Sequence, residues 1–275
     1  MSILLLGANG MLAHAIKDVF AQEQVICKDL PEVDLTKIET IAGALDAVKP
    51  GVVINCAAYT AVDKCETDEA LAEAVNGTAV GELARLTAQR AITLVHFSTD
   101  YVFDGTKKTG YQEDDATGVP QNAYGRTKEH GEQLMQKNTP RGYLVRTSWL
   151  YGPGGKNFVT TMLQLGRSKP ALNVINDQHG KPTYTYDLAR FVQSLLKDKA
   201  AFGVYHGVNE EATTWYEFAS EILKQKNIVT PVQPCSTESY PTPARRPHWS
   251  ILLNTKRPTL RSWRQALTEY LSQVE

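Results

Sequence analysis

Cysteine is scarce in this 275-residue chain and never paired: Cys27, Cys56, Cys65 and Cys235 are scattered, without CxxC spacing. That argues against a disulfide scaffold or a zinc ribbon. Reduced thiols used as small apolar side chains are expected, as in a cytoplasmic protein. Histidine is equally unhelpful to a metal. None of the six lies at ligand spacing from another His or a Cys, so no metal site is expected. An excess of charge of one sign is also missing. The formal net charge is −1, which gives no electrostatic case for nucleic acid or an anionic membrane as partner. Long apolar runs are absent. Ile3-Leu4-Leu5-Leu6 is too short for a signal sequence and has no basic flank, so neither secretion nor membrane insertion is expected. No internal repeat or low-complexity tail is present.

What the chain does have is a regular alternation of short apolar runs and helical periodicities. Ile3–Leu6, Gln24–Cys27, Val52–Ala58, Thr93–Ser98 and Gly142–Thr147 read as strands. Met11–Phe20, Lys37–Val48 and Thr67–Arg90 read as helices, with Thr36 as N-cap of the second. The alternation predicts an α/β fold, a Rossmann-like doubly wound parallel sheet with a smaller C-terminal substrate-binding lobe. The expected division is 1–150 for cofactor binding, with segments near 172–197 returning to it, and 151–275 mainly for substrate. In the second part, Asn157–Gly166, Asp187–Leu196 and Thr259–Gln273 read as helices and Leu172–Ile175 as a strand. Pro231–Pro247, rich in Pro, Ser and Thr, reads as irregular.

Gly7-Ala-Asn9-Gly10-Met11-Leu12-Ala13 follows the first strand directly. In such a loop the first glycine permits the tight turn. The second lets a pyrophosphate approach backbone, and the small third residue lets helix and strand pack. After the second strand, Asp29 suits the ribose 2′-hydroxyl of NAD, whereas Lys28 suits the 2′-phosphate of NADP, so the cofactor choice stays open. Asp34-Leu35 is placed to meet the adenine or to open a helix. The small residues of Cys56-Ala57-Ala58-Tyr59 let a cofactor lie across the sheet. Ser98-Thr99-Asp100-Tyr101-Val102 closes a strand, where ligands of such sheets bind. Strand alternation turns only one of Ser98 and Thr99 to the site. Tyr124 and Lys128 are four apart and share a helix face. A lysine beside a phenol lowers its pKa and makes it a proton donor or acceptor.

These motifs together resemble the extended short-chain dehydrogenase/reductase superfamily. More narrowly, Ala57–Lys64, Arg146–Gly152, Asn157-Phe-Val159, Asp177–Tyr184 and Arg246-Pro247-x-x-Ser250 resemble the dTDP-4-dehydrorhamnose reductases. The resemblance spans nearly the whole chain. It implies NADPH, or NADH, as hydride donor to the 4-keto group of dTDP-4-dehydro-L-rhamnose, in polysaccharide-precursor synthesis. It implies Tyr124 as proton donor, Lys128 tuning it and binding the nicotinamide ribose, and Thr99 holding the C4 oxygen. Tyr101, Val102, Trp149, Asn157 and Arg246 then contact the nucleotide sugar, with Arg246 on the diphosphate; Asp177 and Gln178 either join them or brace the fold. Met11 and Ala13 replace residues usual in the family's glycine loop. Residues 11–20 contain no glutamate, so the metal-linked dimer of some members is not expected. Monomer and homodimer both remain open. Asp100-Tyr101, in place of the Asp-Glu pair of dehydratases, argues against that related activity. An epimerase and a non-catalytic regulatory subunit of the same fold also stay open.

Overall fold

The computed structural model describes residues 1–274. Its centre is a six-stranded, all-parallel sheet. From one edge the strands run Gly203–His206, Gly142–Thr147, Thr93–Thr99, Val52–Asn55, Ser2–Leu6 and Gln24–Lys28. This is the doubly wound α/β arrangement the sequence predicts. Alternation within each strand divides the apolar residues between two cores. Ile3, Leu5, Val52, Ile54, Val95 and Phe97 face the helices Met11–Val19 and Thr185–Lys197. Leu4, Leu6, Val53 and Leu94 face Ile38–Val48 and Ala79–Gln89. Both faces being covered, the strands read as continuous apolar runs. A third core lies in the second half, around Tyr151, Tyr184, Phe218, Trp263 and Tyr270.

The order of the sheet reverses beside its first strand: the chain leaves Ser2–Leu6 for Gln24–Lys28 on one side and returns to Val52–Asn55 on the other. A crevice opens at the carboxyl ends of strands around such a reversal. Gly7 lies at its floor with φ +70°. A Cβ there would stand 2.5 Å from the Ala57 amide nitrogen, so only glycine lets the two strand ends close on each other.

Some local expectations are corrected. Thr36 does not cap the second helix. The helix starts at Ile38 with no side-chain cap, and the Thr36 hydroxyl and amide both bond to Asp34 Oδ1 in a tight local turn. The third strand stops at Asn55, because Cys56–Ala58 peel away toward the crevice. The long helical region after Thr67 is broken into Glu69–Glu73, a π-helical turn at Ala74–Thr78, and Ala79–Gln89. Pro231–Pro247 is not wholly irregular. Val232–Cys235 forms a short strand parallel to Leu172–Ile175. The last helix begins at Trp263, capped by Ser262, not at Thr259.

Candidate active site

The crevice is a cavity of about 480 Å³, walled by Gly7, Gly10, Asp29, Asp34, Leu35 and Cys56–Tyr59 among others. Gly10 is the N-cap of the helix Met11–Val19 and brings no side chain to its free amides, which leaves them for an anion. The glycine cradle, these amides and the small-residue wall fit a dinucleotide. Not every expected cofactor residue brings its side chain to this space. Asn9 is exposed and its amide donates to Asp29 Oδ2 at 2.8 Å. Leu12 is buried in the core, and Met11 packs by its Cβ against Gly155. Asp29 thus braces the glycine loop while lining the cavity. Asp34 also lines it, but its carboxylate is occupied by Thr36 and Lys37. That is the helix-entry role the sequence left open.

The helix Ala123–Asn138 carries Tyr124 and Lys128. Asn122 caps it, accepting from the Gly125 amide at 2.7 Å. Gly125 is required by close approach: a Cβ would lie 2.2 Å from the Tyr101 carbonyl oxygen, where the strand Thr93–Thr99 turns away. Thr99 and Tyr124 therefore meet. The Thr99 hydroxyl accepts from the Tyr101 amide at 3.2 Å, donates to Asp100 Oδ1 at 3.0 Å, and lies near enough to the Tyr124 phenol to ease its ionisation. The Tyr101 and Tyr124 rings meet edge to face at 6.2 Å. Burial is also what pushes the Asp100 carboxyl up to about 7.

The expected effect of Lys128 on Tyr124 is not found. Burial, and next the Asp100 charge, push the phenol well above its usual range; the nearby Thr99 hydroxyl opposes them only in part. The reason is where the lysine goes. A buried amine must find acceptors, and Lys128 Nζ donates to the Phe97 carbonyl oxygen at 2.7 Å and lies 3.2 Å from His96 Nε2. Tyr124 is consequently held protonated, as a donor.

Two expected substrate contacts are also corrected. The Val102 side chain is fully buried with Phe103, Tyr111, Val208 and Leu252, so only its backbone can meet a ligand. Asn157 caps the helix Phe158–Ser168. Its Oδ1 accepts from the Thr160 amide, and its Nδ2 donates to the Gly152 carbonyl oxygen at 2.9 Å and the Tyr270 hydroxyl at 3.0 Å. With every polar atom engaged by protein, Asn157 ties the third core together. Asn157→Ala is expected to cost about 1–2 kcal/mol of stability, the upper range for a cap, with substrate KM unchanged; denaturant melts and steady-state kinetics check this.

Trp149 has φ +48°, an uncommon conformation for a non-glycine residue. Its ring stacks on Trp215 at 3.6 Å and 11°. Arg246 is gripped by Asp63 through its two terminal guanidinium nitrogens, at 2.6 and 2.8 Å. Asp177 and Gln178 brace the fold: both hold Thr237, and Gln178 also accepts from the Trp215 indole at 3.2 Å.

Several residues here escaped the reading of the sequence. Asn76 sits in the π-helical turn and bonds both the amide and the carbonyl of Tyr59 on the crevice wall; such turns recur at functional sites. His96, Asp63 and Trp215 touch Lys128, Arg246 and Trp149. Of these only Asp63 lies within a family-like motif, Ala57–Lys64.

Comparison with known proteins is decisive for kinship. The RmlD substrate binding domain family matches residues 1–275. A dTDP-4-dehydrorhamnose reductase from Clostridium acetobutylicum superposes with a TM-score of 0.96 at 41% identity, covering 100% of this chain and 99% of that one. The chain belongs to the dTDP-4-dehydrorhamnose reductase family. A family member from Bacillus anthracis, solved in complex with NADP, is 33% identical with a TM-score of 0.95, covering 99% of both chains. A Streptomyces antibioticus relative is named a probable dTDP-4,6-dihydroxy-2-methyloxan-3-one 4-ketoreductase. It is 40% identical, over 98% of this chain and 94% of its own length. Among the described residues, no three His, Cys, Asp or Glu side chains converge as a metal site, and no helix is long and apolar enough to cross a membrane.

Proposed function

We propose that this chain is an NADPH-dependent reductase that converts dTDP-4-dehydro-L-rhamnose to dTDP-L-rhamnose. The observation that carries the reading is a half-buried, protonated Tyr124 beside the Thr99 hydroxyl, on a helix shared with Lys128 and in a family member by full-length match. Bound NADPH supplies a hydride to the sugar C4. The chain's own groups do the rest. Thr99 orients the C4 oxygen, and Tyr124 transfers its phenolic proton to that oxygen as it becomes an alkoxide; solvent then reprotonates the phenolate. A phenol held in its acid form suits this direction. Lys128 reaches the nicotinamide ribose. Tyr101 and Trp149 flank the sugar, and Arg246 meets the diphosphate as a bidentate donor once Asp63 yields it.

The cofactor half, in this proposal, is residues 1–150 with the later segments that cover the central sheet, and residues 151–275 supply most of the substrate side. The Streptomyces antibioticus relative supports a second reading, reduction of a different dTDP-linked 4-keto sugar. The test is oxidation of NADPH, followed by absorbance, with dTDP-4-dehydro-L-rhamnose and the dTDP-4,6-dihydroxy-2-methyloxan-3-one of the second reading in parallel and NADH as alternative donor. Faster oxidation with the first sugar supports the proposal. Faster oxidation with the second moves the assignment to the other sugar, and none with either overturns it.

A further inference from the structure

Asn55, His96 and Lys128 form a buried line across three elements, from the end of one strand, through the next, to the tyrosine helix. The line has a direction. Asn55 Oδ1 accepts from the Ala57 amide at 3.1 Å, which fixes the amide so that its NH₂ points to His96 Nδ1, also at 3.1 Å. Turning the amide over would set two donors against each other. Nδ1 is therefore an acceptor, and a neutral imidazole must carry its proton on Nε2. That N–H faces Lys128 Nζ across 3.2 Å. An ammonium has three donors and no lone pair, so a charged lysine here would oppose N–H to N–H. A neutral amine resolves the conflict: it accepts from His96 and still donates to the Phe97 carbonyl oxygen.

We propose that His96, its tautomer pinned by Asn55, is a positioning residue that favours the neutral amine of Lys128 in the free protein, so that in mildly alkaline solution cofactor binding takes up a proton. The inference rests on the reductase reading, in which Lys128 engages the nicotinamide ribose. Ribose hydroxyls offer new acceptors, draw Nζ off His96 and restore the ammonium.

The charged neighbours are few. On the lysine's own helix, Glu132 favours the ammonium, but it is committed to a buried pair with Arg146 of the adjoining strand. His96 is the facing group from the strand Thr93–Thr99. Asp100, in the following turn, acts on Tyr124. Burial leads in bringing Lys128 down to about 8, and burial leads in holding His96 well below its ordinary range, hence neutral. The sign follows. If the complex binds a proton that the free protein lacks above about pH 8, affinity falls as pH rises through that value.

The experiment is NADP⁺ binding to the intact chain by calorimetry in two buffers of different ionisation enthalpy. At pH 8.5 the cofactor phosphate is fully ionised, and the wild type is expected to take up about three-quarters of a proton. Between pH 7 and pH 9 its Kd should weaken about tenfold. In His96→Gln the amide oxygen can accept from the ammonium. Proton uptake should then fall well below the wild-type value, with Kd weakening by clearly less than tenfold over the same range. No uptake by the wild type at pH 8.5 overturns the proposal without any variant. Equal uptake by wild type and variant overturns it too. Failure of the wild type to bind NADP⁺ or NADPH at pH 7 overturns the reductase reading itself, and this inference with it.

Discussion

Tyr124→Phe is expected to bind NADPH as the wild type does and to lose at least ~100-fold in turnover, the scale of a positioned general acid. The ring loses one oxygen and keeps its edge-to-face contact with Tyr101, so the helix and crevice should be undisturbed. What disappears is the phenolic proton that desolvation keeps in place beside the Thr99 hydroxyl. Fluorescence titration with NADPH and single-turnover oxidation separate the two effects. Wild-type turnover would remove Tyr124 from its role. A matching loss of affinity would show that the substitution had damaged the site instead.

The second large effect is on stability. Arg146 and Glu132 form a nearly solvent-free pair, with the arginine nitrogens bonding both carboxylate oxygens at 2.7–3.2 Å and the guanidinium lying over the Phe103 ring. Arg146→Met would leave a carboxylate buried without a partner. The expected cost is about 3–5 kcal/mol, read as a shift in the urea midpoint. Replacing both residues, as Arg146→Met with Glu132→Leu, should recover most of that loss, because apolar side chains of similar volume substitute for a buried pair at little cost. A single-variant loss under ~1 kcal/mol, or a double variant no better than the single, would contradict this account of the pair.

How much of this was legible in the sequence differs by element. Most of the central sheet was, because its inner strands are buried on both faces and so appear as unbroken apolar runs, such as Val52-Val53-Ile54; the half-exposed edge strand Gly203–His206 was not read. The glycine loop was as well, since Gly7 answers a local backbone demand that no other residue meets. Tyr124 and Lys128 fall on one helix, as their spacing requires. Their mutual electrostatics were not legible. Whether an amine tunes a phenol depends on where its last atom finds an acceptor, and that acceptor is the Phe97 carbonyl on a strand about thirty residues earlier. Still larger separations in sequence hid Asn157's partner Tyr270 and Trp149's partner Trp215. Val102 misled for a different reason. It follows the strand-end threonine in a motif of substrate contacts, but the turn Asp100–Val102 swings its side chain into a core completed by Leu252. Thr36 shows a rival bond winning locally: a hydroxyl suited to cap a helix was taken two residues away by Asp34.

The most direct measurement follows the transferred hydrogen. The chain would be given dTDP-4-dehydro-L-rhamnose with NADPH carrying deuterium at the hydride position, and the product would be read by NMR. The account predicts dTDP-L-rhamnose with deuterium at C4 and none at the neighbouring carbons. Product without deuterium at C4, or no product from a folded chain that binds NADPH, would contradict it.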